Sequence, residues 1–184
     1  KNMIPGRAQR HHIACEPFAA DGFFNTVAWE NTSGVLLKWF ASEFVREKGT
    51  DLKQVFSWLN GHMEPGPTGI LVLPHFSGAA TPHMDEHSRG AVVGLSLDTR
   101  RADLYKAMME GLNYELALIM DALLEAGIEV GQIISTGGSL SPQLLQIKAD
   151  ILGRNIHTVR NQQTGSLGGA MLGAVAFGEY DNLE

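Results

Sequence analysis

Residues Ser135 to Leu152 read STGGSLSPQLLQIKADIL, and the rest of the chain is interpretable from there. They follow the short apolar run Gln132-Ile133-Ile134, too brief for a helix and bounded by Gly131 and a Gly-Gly pair. A buried strand running into a tight turn is the economical reading, with Gly137 and Gly138 as the turn. Ser141 before Pro142 has the form of a helix N-cap. A side-chain oxygen accepts an orphan N–H there, and a proline follows where no N–H is needed. The helix so begun is amphipathic. Leu144, Leu145, Ile147, Ile151 and Leu152 are its apolar positions, Gln143, Gln146 and Asp150 recur along a polar edge, and Gly153 closes it. A strand, two glycines and a helix N-terminus let an anion approach the backbone with no Cβ in the way. The same connection also serves where a tight turn is needed and nothing binds.

The run Thr136-Gly137-Gly138-Ser139-Leu140-Ser141-Pro142, with Leu145-Gln146-Ile147, Ala149-Asp150 and Leu152-Gly153, resembles the adenosine motif of the FGGY carbohydrate kinases. Further matches lie in order along the chain. Gly165-Ser166-Leu167-Gly168-Gly169-Ala170 resembles the family's second connecting helix. Pro74-His75-Phe76-Ser77-Gly78, Thr81-Pro82, Asp85 and Arg89-Gly90 resemble its long loop, and Leu104-Tyr105 and Glu110-Gly111 fall where its long helix carries the same pairs. Thr136 stands where the motif often has a first glycine.

The resemblance implies an α/β, ribonuclease H-like (actin-like ATPase) domain with a mixed sheet flanked by helices. Residues 1–184 would be a single domain, the C-terminal lobe of a two-lobed kinase whose other lobe is its partner. That lobe would bind ATP or ADP with Mg²⁺. Gly137 and Gly138 would offer main-chain N–H groups to the phosphates, Ser141 would border the adenosine, and Gln146 would shape the pocket from the next turn.

Composition sets bounds of its own. The 184 residues, 44% hydrophobic and 18% charged, suffice for one sizeable core. A net charge of -6, from 14 basic and 20 acidic residues, argues against a nucleic-acid surface or attraction to an anionic membrane. With one cysteine, Cys15, there is no internal disulfide framework, and a small buried or half-buried hydrophobe is its expected role. No run reaches the ~18 apolar residues of a membrane span, so a cytoplasmic location is expected. The opening Lys1-Asn2-Met3-Ile4-Pro5-Gly6 reads like the interior of a longer protein.

Taken in order, residues 1–30 suggest short extended pieces rather than helices, with His12 to Cys15 and Phe23 to Trp29 forming a hairpin across Ala20-Asp21-Gly22. Ser33 can cap a helix whose apolar face is Val35, Leu36, Trp39, Phe40, Phe44 and Val45, and Asp51 to about Leu59 form a second helix with Leu52, Val55, Phe56 and Leu59 inward. The aromatic set Trp39, Phe40, Phe44, Phe56 and Trp58 is read as core packing. Ile70 to Leu73 and Ala91 to Leu97 are strands. A long helix capped by Asp98 or Thr99 then runs to Ala126, with Leu104, Met108, Leu112, Leu116, Ile119 and Leu123 on one stripe and Ala107, Gly111 and Ala122 permitting close approach. Glu110 and Glu115, five apart on that helix, are assigned to a solvated or hydrogen-bonded edge rather than to acid–base catalysis. His75, His83 and His87, with Asp85 and Glu86, have the residue types of a metal site. Their loop setting favours surface histidines instead. Four glycines in the helix from Gly165 to Phe177 imply that another backbone packs close.

The glycine turn has no lysine of its own, and the GxxxxGK[ST] loop of other nucleotide-binding folds is absent, so Mg²⁺ and groups of the other lobe must supply positive charge. The family's catalytic aspartate motif has no match, and no catalytic or metal-binding residue is assigned. The parent is thus read as an ATP-dependent kinase acting on a sugar or polyol hydroxyl, and this chain alone as inactive. A non-catalytic nucleotide-binding or assembly module of the same fold is the alternative. The identity of the sugar is not legible, and a homo-oligomer is compatible with the sequence.

Overall fold

A computed structural model describes residues 5–18, 22–137, 140–160 and 163–182. The chain opens with a short helix, α1 (Pro5–Arg10), where only extended pieces were expected. A hairpin follows, as the sequence suggested. In it β1 (Ala14–Pro17) pairs antiparallel with β2 (Phe24–Val27), and Cys15, half-buried, lies opposite Thr26. The predicted turn residues Ala20 and Asp21 lie outside the described residues.

Helix α2 (Ser33–Phe40) continues through a π-helical turn at Ala41–Val45 into the region before α3 (Leu52–Gly61). Thr32, not Ser33, is the α2 N-cap residue, and its hydroxyl is spent on the Pro74 carbonyl, tying this helix to the long loop. Leu36, Leu37 and Phe40 form the buried face of α2, continued by Ala41 of the π-helical turn, so the expected face was rotated. Val35 is 70% exposed and Phe44 55% exposed. Trp39 and Phe44 instead meet edge-on at 5.0 Å at the rim of the core, with Trp39 also 5.3 Å from Phe76. Trp58 likewise stays at the surface, stacked on His62. Of the five aromatics read as core, Phe40 is the fully buried one and Phe56 packs against the core from its edge.

In α3, Asp51 caps through Lys53 N, and Val55 and Leu59 point inward as their spacing required. β3 (Leu71–Leu73) and β4 (Ala91–Val93) pair antiparallel, with Val72 facing the core. The long helix α4 (Arg101–Glu125) packs against β3. Its cap is Arg100, whose N–H donates to the Asp103 carboxylate at 2.9 Å, rather than Asp98 or Thr99. Tyr105, Ala107, Met108, Met109 and Leu112 of α4 join Leu36, Phe40, Val55 and Leu59 in the main core. Lys106 is also buried, and its ammonium donates to the carbonyls of Glu64 and Gly66, holding down the proline-rich loop before β3.

β5 (Ile133–Ser135) pairs in parallel with β6 (Ile156–Thr158), and α5 (Pro142–Leu152) crosses between them and packs on α4. Helix and strand thus alternate as expected of an α/β chain with mixed pairing, the strands forming three separate two-stranded sheets among the described residues. The last helix, α6 (Thr164–Ala176), does not meet the expectation of close packing. A Cβ added at Gly165, Gly168, Gly169 or Gly173 would meet nothing within 4 Å, and no α6 residue is buried.

Candidate functional site

The strand and the helix inferred from the opening stretch are present. Ser135, buried at the end of β5, leads into Thr136 and Gly137, and Ser141 caps α5 by accepting from Leu144 N at 3.1 Å, with Pro142 at the first helical position. Gly153 ends the helix in the left-handed conformation. Gly137 has φ +120°, where a side chain is strained, yet a Cβ there would meet nothing within 4 Å. The glycine therefore answers a backbone requirement and leaves open space in front of the turn. Gly138 lies outside the described residues.

Two adjoining cavities flank this turn and share Gly34, Leu37 and Leu140. One, of about 410 Å³, is bordered by Glu30, Ser33, Asn113, Ser135, Gly137 and Lys148. The other, of about 540 Å³, is bordered by Lys38, Phe56, Asn60, Tyr105 and Ser141. Gly137 borders the first cavity and Ser141 the second, on a rim that the two cavities share at Gly34, Leu37 and Leu140. Gln146 does not join them. It is exposed, donates to Asp150 Oδ1 at 2.8 Å, and lines neither cavity. Leu144 and Lys148, four residues apart and so on one helix face, point into the first cavity, and residue 146 falls off that face.

Lys148 and Glu30 are the site residues that sequence reasoning passed over. The Lys148 ammonium donates to Ser135 Oγ at 3.0 Å. Burial lowers its pKa, and the charge of Glu30 opposes that shift. The Glu30 carboxyl is pushed up to about 7, first by burial and then by the Glu115 carboxylate, with Lys148 pulling the other way. A signal for Lys148 existed: it shares the step of four with apolar Leu144 and lies off the Gln143, Gln146 and Asp150 edge. Glu30 followed a predicted strand end with nothing in the sequence to show what it would face.

The sign for Glu30 follows from linkage. A carboxyl that titrates higher in the folded state than in the unfolded chain costs nothing below about pH 4.5, progressively destabilises the fold as pH rises towards 7, and costs its full amount above that. Glu30→Gln is therefore expected to leave stability unchanged near pH 4 and raise it by about 1–2 kcal/mol at pH 8, a figure discounted for the water that still reaches the group. Urea midpoints at the two pH values test this, and an equal shift at both would show that the charge is not the cause.

Behind the cleft lies a second polar cluster. Glu115 Oε1 is 3.3 Å from His75 Nε2 and 3.8 Å from His83 Nε2, and His75 Nδ1 meets Ser88 Oγ at 2.7 Å. His75 and Glu115 are both buried, contrary to the expectation of surface histidines and a solvated helix edge, whereas His83 and His87 are exposed. Glu110 is buried as well, accepting from Thr68 N and from Thr68 Oγ1 at 2.6 Å. The hydrogen-bonded reading of the two glutamates holds, and the solvated one does not. Among the described residues no three His, Cys, Asp or Glu side chains are grouped to hold a metal ion. No helix among them is long and apolar enough to cross a membrane.

Comparison with known proteins agrees with this architecture. A model of the FGGY family of carbohydrate kinases, C-terminal domain, matches residues 8–177. A ribulokinase of Mycolicibacterium smegmatis is 30% identical over 172 residues, covering 89% of this chain and 31% of the relative. A glycerol kinase of Streptococcus pyogenes is 32% identical over 117 residues, covering 62% of this chain and 23% of its own. Among solved structures, a xyloylose kinase from Brucella ovis superposes with a TM-score of 0.82 at 24% identity, over 95% of this chain and 36% of that one. At that identity the likeness is one of fold, the actin-like ATPase α/β fold. The chain spans about a third or less of the length of these relatives.

Proposed function

The chain belongs to the FGGY family of carbohydrate kinases, whose C-terminal domain it matches over residues 8–177, and from that premise we propose that it is the ATP-binding lobe of an enzyme that transfers the γ-phosphate of ATP to a sugar or polyol hydroxyl. The carrying observation is the rim on which Gly137, the capped start of α5 and Gly34 at the start of α2 border open cavities together.

The parts fit a nucleotide. A turn with open space at Gly137 admits phosphate oxygens against the backbone, and the N-terminal end of α5, capped by Ser141, adds a partial positive charge. The apolar and aromatic walls supplied by Val35, Phe56 and Tyr105 suit a purine ring beside Ser141. Mg²⁺, when bound with ATP, neutralises charge on the phosphates during transfer; it is held mainly by the other lobe of the same polypeptide in this reading. Most contacts to the sugar come from that lobe, the catalytic base lies outside this chain, this chain alone does not turn over, and the protein works in the cytoplasm.

Calorimetric titration with Mg·ADP tests the reading. Binding by this chain, lost in a Gly137→Glu variant that crowds and repels phosphate while keeping the unfolding midpoint above the assay temperature, is the expected result. Absence of Mg·ADP binding both here and in the full-length polypeptide would overturn it.

A further inference from the structure

The glycine turn has no lysine, but the folded chain brings one to it. Lys148 sits in the second turn of α5, on the face that looks back along the helix towards the cleft, and its ammonium is 3.0 Å from Ser135 Oγ, immediately before Thr136 and Gly137. Among the described residues Ser135 is its hydrogen-bond partner, which satisfies one of three N–H groups of an ammonium. The cavity in front of it is bordered by polar groups from four directions: Glu30 after β2, Ser33 at the start of α2, Asn113 of α4, and the Ser135 to Gly137 turn. The charges that face Lys148 from the packed elements are Glu30 and, behind Glu30, Glu115 of α4, which is itself engaged by His75.

We propose that Lys148 is a phosphate-binding cation of this cleft, contacting the nucleotide's phosphates beside the glycine turn, with Glu30 as its counter-charge in the absence of nucleotide. The proposal rests on the nucleotide-lobe reading given above, and it assigns to this lobe part of the positive charge that sequence reasoning had left entirely to Mg²⁺ and the other lobe. Burial makes the arrangement effective. A half-buried ammonium held by Ser135 has less water to lose on meeting an anion than a surface lysine, and its attraction is screened less by salt. The position of Glu30 has a consequence of opposite sign. A carboxylate bordering the same cavity repels an incoming phosphate, so nucleotide binding favours the protonated carboxyl and takes up protons near neutral pH.

The test compares Mg·ADP with adenosine, which lacks the phosphates, on the wild-type chain and on Lys148→Met, Lys148→Arg and Glu30→Gln. Lys148→Met is expected to weaken Mg·ADP binding by tenfold or more and to leave adenosine binding within about twofold, and Lys148→Arg to recover most of the loss. Glu30→Gln is expected to strengthen Mg·ADP binding about threefold at pH 8. Equal losses for ADP and adenosine would make Lys148 a support of the turn and overturn the proposal, as would a Lys148→Met variant that binds Mg·ADP like the wild type. In both of those cases the nucleotide-lobe reading survives, because wild-type binding and its loss in Gly137→Glu are untouched. Failure of the wild-type and full-length proteins to bind Mg·ADP removes both.

Discussion

Gly111→Ala is expected to destabilise this chain by about 2 kcal/mol, although alanine is the better helix former. A Cβ at Gly111 would lie 2.4 Å from the Val72 carbonyl oxygen and 3.1 Å from Val72 Cβ, so either α4 or β3 must move. Both are built into the main core, α4 through Ala107, Met108 and Leu112 and β3 through Val72 itself. Overpacking a core against backbone typically costs ~1–3 kcal/mol, occasionally more, and the alanine propensity gain of ~1 kcal/mol offsets only part of it. Gly169→Ala in α6 is the matched control. Nothing lies within 4 Å of its added Cβ, so the same substitution there should be neutral or stabilising by up to ~1 kcal/mol. Urea denaturation of the two variants reads both effects. A Gly111→Ala midpoint equal to wild type would mean that α4 does not approach β3 as closely as described.

Glu110→Ala is the second large effect, an expected loss of about 2–4 kcal/mol. The carboxylate is buried and accepts from Thr68 N through both oxygens, at 3.2 and 3.3 Å, and from Thr68 Oγ1 at 2.6 Å. Thr68 Oγ1 in turn accepts from Ile70 N at 3.2 Å, at the edge of β3. Removing the carboxylate leaves a main-chain N–H and a hydroxyl without their acceptor and opens space beside the core, and a buried group stripped of its partner costs its desolvation in full. Glu110→Gln, which keeps an acceptor oxygen, should lose about half as much. Denaturation midpoints for the pair separate hydrogen bonding from mere volume. A loss below ~0.5 kcal/mol in Glu110→Ala would show that the pairing does not anchor the loop.

These two neighbouring residues show how much was legible beforehand. That Gly111 permits close approach could be read from a small residue within a long apolar helix, because helix packing requires small side chains where backbones meet. Which backbone it meets, Val72 in β3, could not. Glu110 and Glu115 were placed correctly on that helix, but their burial was not foreseen. Their partners Thr68 and His75 come from loops about forty residues away in sequence, and no local pattern records such a contact. The aromatic face of α2 failed for a related reason. Helical spacing gives the angular separation of Val35, Trp39 and Phe44 but not the direction of the core, which lies towards Leu36, Leu37 and Phe40.

What the sequence determined by itself is therefore local. The run from Ser135 to Leu152 specifies a strand, a turn and a capped helix, because a glycine at positive φ, a serine before a proline and a step of three and four in apolar residues are requirements met within a few bonds of one another. It was enough to set Gly137 shortly before a capped helix start and to reveal the family. Tertiary structure alone decided what faces that turn. Glu30 and Lys148 are separated by more than a hundred residues, and they share a cleft only because the segment after β2, α2, α4 and α5 border it together. Burial then shifts the two charges in opposite senses, raising the carboxyl and lowering the ammonium, since removing either from water disfavours its charged form.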